Sequence, residues 1–290
     1  MSILITGATG QLGSTLQQLL TTETVGMPVY AFTKEQLDIT DKRSIHRVFS
    51  EYQPKWVLNT AAFTAVDLAE TQQEQAFNLN VNAPRYLAEA CALINAKLVH
   101  FSTDYVFSGE NEKPYVETEH VSPQSTYGET KWLGEQAIIT TFENYIILRV
   151  SWLFSAYGNN FVKTIIRLLK EKDSLRIVQD QQGCPTFTQH IALIVLNFIT
   201  QNPQACGIFH YCDKPISNWY KLACFIQDQL VAHYQFTPKP IAPITTDEYP
   251  TPAIRPKYSV LSCEKILQLP GMQQYNWQDG IETTLRELLS

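Results

Sequence analysis

The chain has 290 residues, 44% of them hydrophobic and 17% charged, a composition that suits one large core or two modest ones. Its formal net charge of −6 excludes a general nucleic-acid binder, which needs a basic face, but not an anionic small molecule held by a local field. The six cysteines include no C-x-x-C pair, so neither a zinc site nor a disulfide scaffold is expected. No stretch reads as a signal sequence, and the apolar run Ile191 to Ile199 is too short to span a bilayer. A cytoplasmic protein with free thiols and no membrane association is expected.

Ser2 to Thr6 is an apolar, β-branched run and reads as a buried strand. Gly7-Ala8-Thr9-Gly10-Gln11-Leu12-Gly13 follows at once, then a helical pattern to about Leu20. A glycine-rich turn between strand and helix brings backbone amides and a helix N-terminus to a pyrophosphate. Its G-x-x-G-x-x-G spacing is a variant of the dinucleotide fingerprint, so Gly7, Thr9, Gly10, Gln11, Leu12 and Gly13 are assigned to a cofactor.

The second strand, Val29 to Phe32, should end at the adenosine ribose, where an Asp or Glu would select NAD. Thr33 and Lys34 follow instead, so NADPH is expected, with NADH accepted to a lesser extent. Asp38 and Ile39 are assigned to the adenine, with a capping role for Asp38 or Asp41 equally open. Ile45 to Tyr52 reads as a helix and Trp56 to Asn59 as a strand. The small residues Thr60, Ala61 and Ala62 then let backbone approach the cofactor. Asp67 and Glu70 are expected to be solvated or capping groups. Asn78 to Ala92 reads as one long helix, and Leu98 to Ser102 as the next buried strand.

Such alternation implies a Rossmann-type, doubly wound α/β fold with a parallel sheet and ligands outside the carboxyl ends of its strands. Gly7, Ala61 and Thr103 all fall at such ends. Ser108 to Ser125, polar and containing Glu110, Glu112, Glu117 and Glu119, is either a lid or a plain connector. After it come Tyr127 and Lys131, one helical turn apart on one face. An ammonium beside a phenol favours the phenolate, so Lys131 is expected to lower the Tyr127 pKa, with Thr103 holding the reacting oxygen. The spacing alone is weak, since Tyr30-x-x-x-Lys34 occurs at a strand exit. Beyond the strand Tyr145 to Val150, helices are expected over 189–200 and 219–230 and strands over 175–178 and 207–211. His210 and Cys212 read as core residues. The expected organisation is a cofactor domain over 1–150 and a smaller C-terminal α/β substrate domain over 151–290, the chain returning to the first around 207–230.

The glycine turn, the Ser102-Thr103 strand end and Tyr127-x-x-x-Lys131 resemble the extended short-chain dehydrogenase/reductase superfamily. Within it, several runs are similar to the dTDP-4-dehydrorhamnose reductases: Ala61 to Glu70, Ser102 to Phe107, Arg149 to Trp152, Gly158 to Phe161, Asp180 to Thr186 and Tyr249 to Pro256. That resemblance implies NADPH-dependent reduction of the C4 keto group of dTDP-6-deoxy-L-lyxo-4-hexulose to dTDP-L-rhamnose, a nucleotide-sugar precursor of polysaccharides. It implies Tyr127 as proton donor, Thr103 as its partner, and Lys131 on the nicotinamide ribose. Asp104, Tyr105, Trp152, Asn160 and Arg255 would then contact the substrate, Arg255 through a diphosphate. The 4,6-dehydratases of the superfamily carry Asp-Glu after the threonine; here Tyr105 follows Asp104, so dehydration is not expected. Some members dimerise through magnesium held by glutamates, whose positions correspond here to Thr15, Gln189 and Glu287. Neutral Thr and Gln serve a hard cation poorly, so a monomer, or a dimer without that magnesium, is expected. A sugar-nucleotide 4-epimerase and a non-catalytic, NADP-binding regulatory subunit are the competing readings.

Overall fold

A computed structural model describes residues 2–23 and 26–289. Six parallel strands form the central sheet: β1 (Ser2–Thr6), β2 (Val29–Phe32), β3 (Pro54–Asn59), β4 (Lys97–Thr103), β5 (Tyr145–Val150) and a later strand, Gly207–Tyr211. Their order across the sheet is Gly207–Tyr211, β5, β4, β3, β1, β2. The winding direction reverses between β1 and β3, and their carboxyl ends carry Gly7 and Ala61.

The strands are apolar on both faces because both are covered. Ile3, Ile5, Leu58, Val99 and Leu148 pack with α1 (Gln11–Thr22). Leu4, Val57, Leu98 and Ile147 face the other way, onto α2 (Lys42–Tyr52), α3 (Ala83–Ile94) and α4 (Thr126–Thr141). Each strand thus sends alternate residues into two separate cores.

The expected helix over 78–92 is two pieces, a wide π-type turn at Asn78–Asn82 and then α3. Pro84 explains the break, since it has no N–H to donate to the carbonyl of Asn80. That carbonyl lies so close to α4 that a Cβ on Gly134 would fall 2.0 Å from it.

Beyond β5 the chain forms α5 (Phe161–Glu171), β6 (Leu175–Val178), α6 (Thr188–Thr200), β7 (Gly207–Tyr211), α7 (Trp219–His233), β8 (Ile241–Ile244) and α8 (Trp277–Leu289). β7 completes the central sheet beside β5, and α6 packs on α1. α7 does not follow them. Its Leu222, Ala223, Ile226 and Leu230 share a third core with α5 and α8. The return to the sheet thus includes 207–211, within the expected span, and takes in α6 before it, whereas the apolar face of α7 packs in the third core. β8 pairs in parallel with β6. Among the described residues no helix is long and apolar enough to cross a membrane.

Candidate active site

The glycine turn is built for close approach. Gly7 has φ +66°, and a Cβ there would lie 2.9 Å from the backbone N of Ala61. A Cβ on Gly13 would meet the Gly7 carbonyl at 2.2 Å. Gly10 caps α1 without a side chain, and Thr9 and Gly10 are exposed at the tip. A backbone-only cradle at the start of a 12-residue helix suits a pyrophosphate, so these residues fit a dinucleotide.

β2 ends beside this cradle, where Ala8 N donates to Phe32 O. A carboxylate does stand beyond the strand, one residue further than Thr33 and Lys34. Glu35 is held below the usual carboxylate range, foremost by a hydrogen bond from Thr33. Asp38 accepts from the backbone N and hydroxyl of Thr40 in a local turn, the N-cap of α2 is Asp41, which accepts from Arg43 N, and Ile39 is buried in the core. Ala61 and Ala62 are half-buried, and Ala61 N donates to the Thr6 hydroxyl.

β4 delivers Thr103 and α4 delivers Tyr127 and Lys131 to the same end of the sheet. Ser125 caps α4 by accepting from Gly128 N, and the Glu70 carboxylate accepts from both Thr126 N and its hydroxyl. Glu70, expected to be a capping or solvated group, thus anchors the first turn of the helix that carries Tyr127. Lys131 is buried and donates to the Phe101 carbonyl at 2.6 Å, with His100 Nε2 at 3.4 Å. Burial lowers its pKa to about 8, opposed by Glu135 one turn further along α4.

The Tyr127 phenol is not lowered, contrary to expectation. Burial pushes it up, and only the Thr103 hydroxyl pulls it down. Lys131 gives its short hydrogen bond to the Phe101 carbonyl rather than to the phenol. A phenol that stays protonated is a loaded acid, which suits reduction of a carbonyl.

Asp104 is buried beside this pair and accepts from the Thr103 hydroxyl at 3.0 Å. Its Oδ2 has no hydrogen-bond partner among the described residues. Burial raises its pKa to about 6, against the nearby hydroxyls of Ser259 and Thr103. Tyr105 meets Tyr127 edge-on at 5.7 Å between ring centroids. Arg255 donates to the Tyr105 hydroxyl at 3.3 Å and to the Asp67 carboxylate at 2.8 Å. Asp67, expected to be a solvated or capping group, instead pairs with Arg255, a partner 188 residues away that the sequence does not reveal. It holds Arg255 at the rim, a quarter exposed.

Two expected substrate contacts are placed otherwise. Asn160 caps α5 by accepting from Lys163 N, and its amide donates to Gln11 Oε1 and Ser155 O. Its polar atoms tie the loop before α5 to the glycine-rich helix, and the Gln11 side chain is spent in the same contact. Trp152, at φ +49°, stacks on Trp219 with centroids 3.5 Å apart, and a Cβ on Gly183 would fall 2.5 Å from its Cε2. Trp219 therefore covers one face of the indole and Gly183 crowds the ring. An isolated Trp in the sequence carries no sign of such a partner.

The 108–125 segment is pinned. Tyr115 is buried against Phe107, its backbone N donates to Val260 O, and Glu117 accepts from His210 N. His210 and Cys212 lie in the core as expected. Among the described residues no group of three or more His, Cys, Asp or Glu side chains is placed to hold a metal ion. Thr15, Gln189 and Glu287 do line one cavity, of about 130 Å³, but the Thr15 hydroxyl is already bonded to Thr188 and to the Gln11 carbonyl.

A doubly wound parallel sheet, a glycine cradle at its switch point and a Thr-Tyr-Lys set at neighbouring strand ends define a member of the short-chain dehydrogenase/reductase class. The family model described as the RmlD substrate binding domain matches residues 1–290, and the chain belongs to this family, that of the dTDP-4-dehydrorhamnose reductases. A dTDP-4-dehydrorhamnose reductase of Aggregatibacter actinomycetemcomitans is 40% identical over 285 residues, 97% of each chain. The crystal structure of a dTDP-4-dehydrorhamnose reductase from Clostridium acetobutylicum superposes with a TM-score of 0.92 at 40% identity, covering 100% of both chains. One from Bacillus anthracis, in complex with NADP, gives 0.92 at 35% identity, covering 99% of this chain and 100% of that one.

Proposed function

We propose that this chain reduces the C4 carbonyl of dTDP-6-deoxy-L-lyxo-4-hexulose to give dTDP-L-rhamnose, with NADPH as reductant. The observation that carries this reading is the meeting of Thr103, Tyr127 and Lys131 beside the Gly7–Ala61 cradle, in a chain matched over its whole length by the reductase family. The relative with NADP in its crystal structure supports the cofactor. Bound at the glycine turn, the dinucleotide supplies the hydride.

The remaining chemistry belongs to the chain. Tyr127 gives its phenolic proton to the oxygen that gains charge as the carbonyl is reduced, an acid–base contribution of about 10²–10⁴-fold. Thr103 has one proton, which Asp104 draws when ionised, so Thr103 Oγ1 is then an acceptor for the Tyr127 hydroxyl. Arg255, at the rim with Tyr105, is suited to a diphosphate, and a substrate that takes it would displace Asp67. Trp152 offers the sugar an edge rather than a free face.

The cytoplasm, where nucleotide sugars and reduced thiols occur together, is the location we assign; all six cysteines are free. We also assign no magnesium-dependent dimer, because Thr15 and Gln189 stand at two of the three positions. Light scattering should be unchanged by EDTA; dissociation on chelation would contradict this. For the reaction, NADPH and the keto-sugar should yield dTDP-L-rhamnose by NMR. No turnover despite cofactor binding would contradict the reading.

A further inference from the structure

Arg255 is held from two sides, and neither hold uses its full fork. Nη2 donates to Asp67 Oδ2 at 2.8 Å, and Nη1 donates to the Tyr105 hydroxyl at 3.3 Å. The other Asp67 oxygen, Oδ1, accepts from Ala253 N at 3.3 Å. One carboxylate thus closes a two-point latch on the run 250–256, which contains no helix or strand. Among the described residues, every hydrogen bond from that run to a distant part of the chain ends on Asp67 or Tyr105. Its far end is fixed by packing, where Pro256 abuts Gly109 and Tyr258 N donates to Gly109 O. Asp67 lies in the short helix Val66–Ala69, and Glu70, three residues on, anchors the first turn of α4. The same turn of chain therefore ties the helix carrying Tyr127 to the run carrying Arg255.

The Asp67–Arg255 pair is of a kind that exchanges. The Asp67 side chain is 40% exposed and that of Arg255 26%, so water reaches and screens both. A guanidinium holds a carboxylate most strongly through two parallel N–H···O bonds. Here there is one, because the carboxylate divides its oxygens between Arg255 and the Ala253 backbone. A diphosphate carries more charge than a carboxylate and has oxygens enough to take both arms of the fork. It therefore competes for Arg255 at an advantage, whereas an uncharged ligand has nothing to offer there.

We propose that Asp67 is a specificity-determining residue that stands in for the ligand's diphosphate at Arg255 in the free chain. It keeps the guanidinium at the rim and the run 250–256 in place, and its charge must be displaced before Arg255 is available. An anion that cannot match the carboxylate leaves the latch shut, and a nucleoside diphosphate opens it. The proposal rests on the reading of Arg255 as the diphosphate contact and goes beyond it by naming the group that occupies Arg255 first.

Calorimetric titration of the chain alone with dTDP and with thymidine tests it, without turnover. Asp67→Asn removes the charge but keeps an oxygen to accept from Ala253 N, so the run stays in place. The variant should bind dTDP about three- to fivefold more tightly than the wild type, the range of a part-exposed ion pair, and thymidine equally. The gain should shrink at high salt, and it should vanish when both chains also carry Arg255→Gln. dTDP bound no more tightly by Asp67→Asn, or thymidine gaining as much as dTDP, would overturn the proposal, because Asp67 would then only shape the loop. dTDP binding unchanged by Arg255→Gln alone would overturn the diphosphate role of Arg255 and the proposal with it, so the two failures are told apart.

Discussion

Glu35 and Asp104 show how much a single side chain decides. Glu35 is exposed just past β2, where a ribose 2′-group would lie, and its negative charge opposes a 2′-phosphate. Glu35→Gln should raise the ratio of kcat/KM for NADPH over NADH by a few-fold, measured by initial rates; an unchanged ratio would place the carboxylate away from the ribose. Asp104 has a native pKa near 6, above the ordinary 3.8, so the folded chain resists its ionisation. The unfolded chain ionises first as pH rises, and the resulting loss of stability begins near pH 4 and is complete above about 6. Two units correspond to about 3 kcal/mol at most. Asp104→Asn removes this loss, so its Tm should gain on the wild type between pH 4.5 and 8, with no gain at the acid end. Such a carboxylate is tolerated at a site because function there outweighs stability.

At the scale of elements, α4 is fixed from beneath as well as from its first turn. Glu135 and Arg149 form a fully buried bidentate pair, with Ser102 donating to the same carboxylate and His210 beside the guanidinium. The pair joins α4 to β4 and β5 one turn below Lys131. Removing one partner strands the other charge, so Glu135→Gln should cost about 3–5 kcal/mol in denaturant unfolding. A cost below 1 kcal/mol would show that water reaches Arg149. These elements were readable from sequence to different depths. The central sheet strands were legible because they are buried on both faces and read as apolar runs, Ile3-Leu4-Ile5 and Ile146-Ile147-Leu148 alike. The break at Asn78–Asn82 was hidden because Pro84 also suits the first turn of a helix. The amphipathic pattern of α7 announced a helix but not which core it would join. Site residues on strand ends, Thr103 and Ala61, were placed by alternation alone. Asp67, Asn160 and Trp152 were not, because their roles come from Arg255, Gln11 and Trp219, each more than 60 residues away in the chain.

Taken whole, the molecule is a cofactor-type sheet layer and a smaller layer joined through α6 and β7. The glycine cradle lies in the first, and Arg255 crosses from the second. His100 and His210 are held neutral in the folded chain, His210 down to about 3 by burial and then by Arg149. The unfolded chain takes up protons as pH falls through 6.5, so stability should be lost from there downward. Two strongly lowered imidazoles outweigh the opposite trend of Asp104. Tm should therefore fall steadily below pH 6.5, and a flat Tm between 6.5 and 4 would contradict this. The central claim is that Tyr127 delivers the proton for carbonyl reduction. NADPH oxidation with dTDP-6-deoxy-L-lyxo-4-hexulose, compared for wild type and Tyr127→Phe at equal cofactor occupancy, tests it most directly. The account predicts dTDP-L-rhamnose from the wild type and a loss of kcat of about 10²–10⁴-fold in the variant. A variant that turns over at the wild-type rate would contradict it.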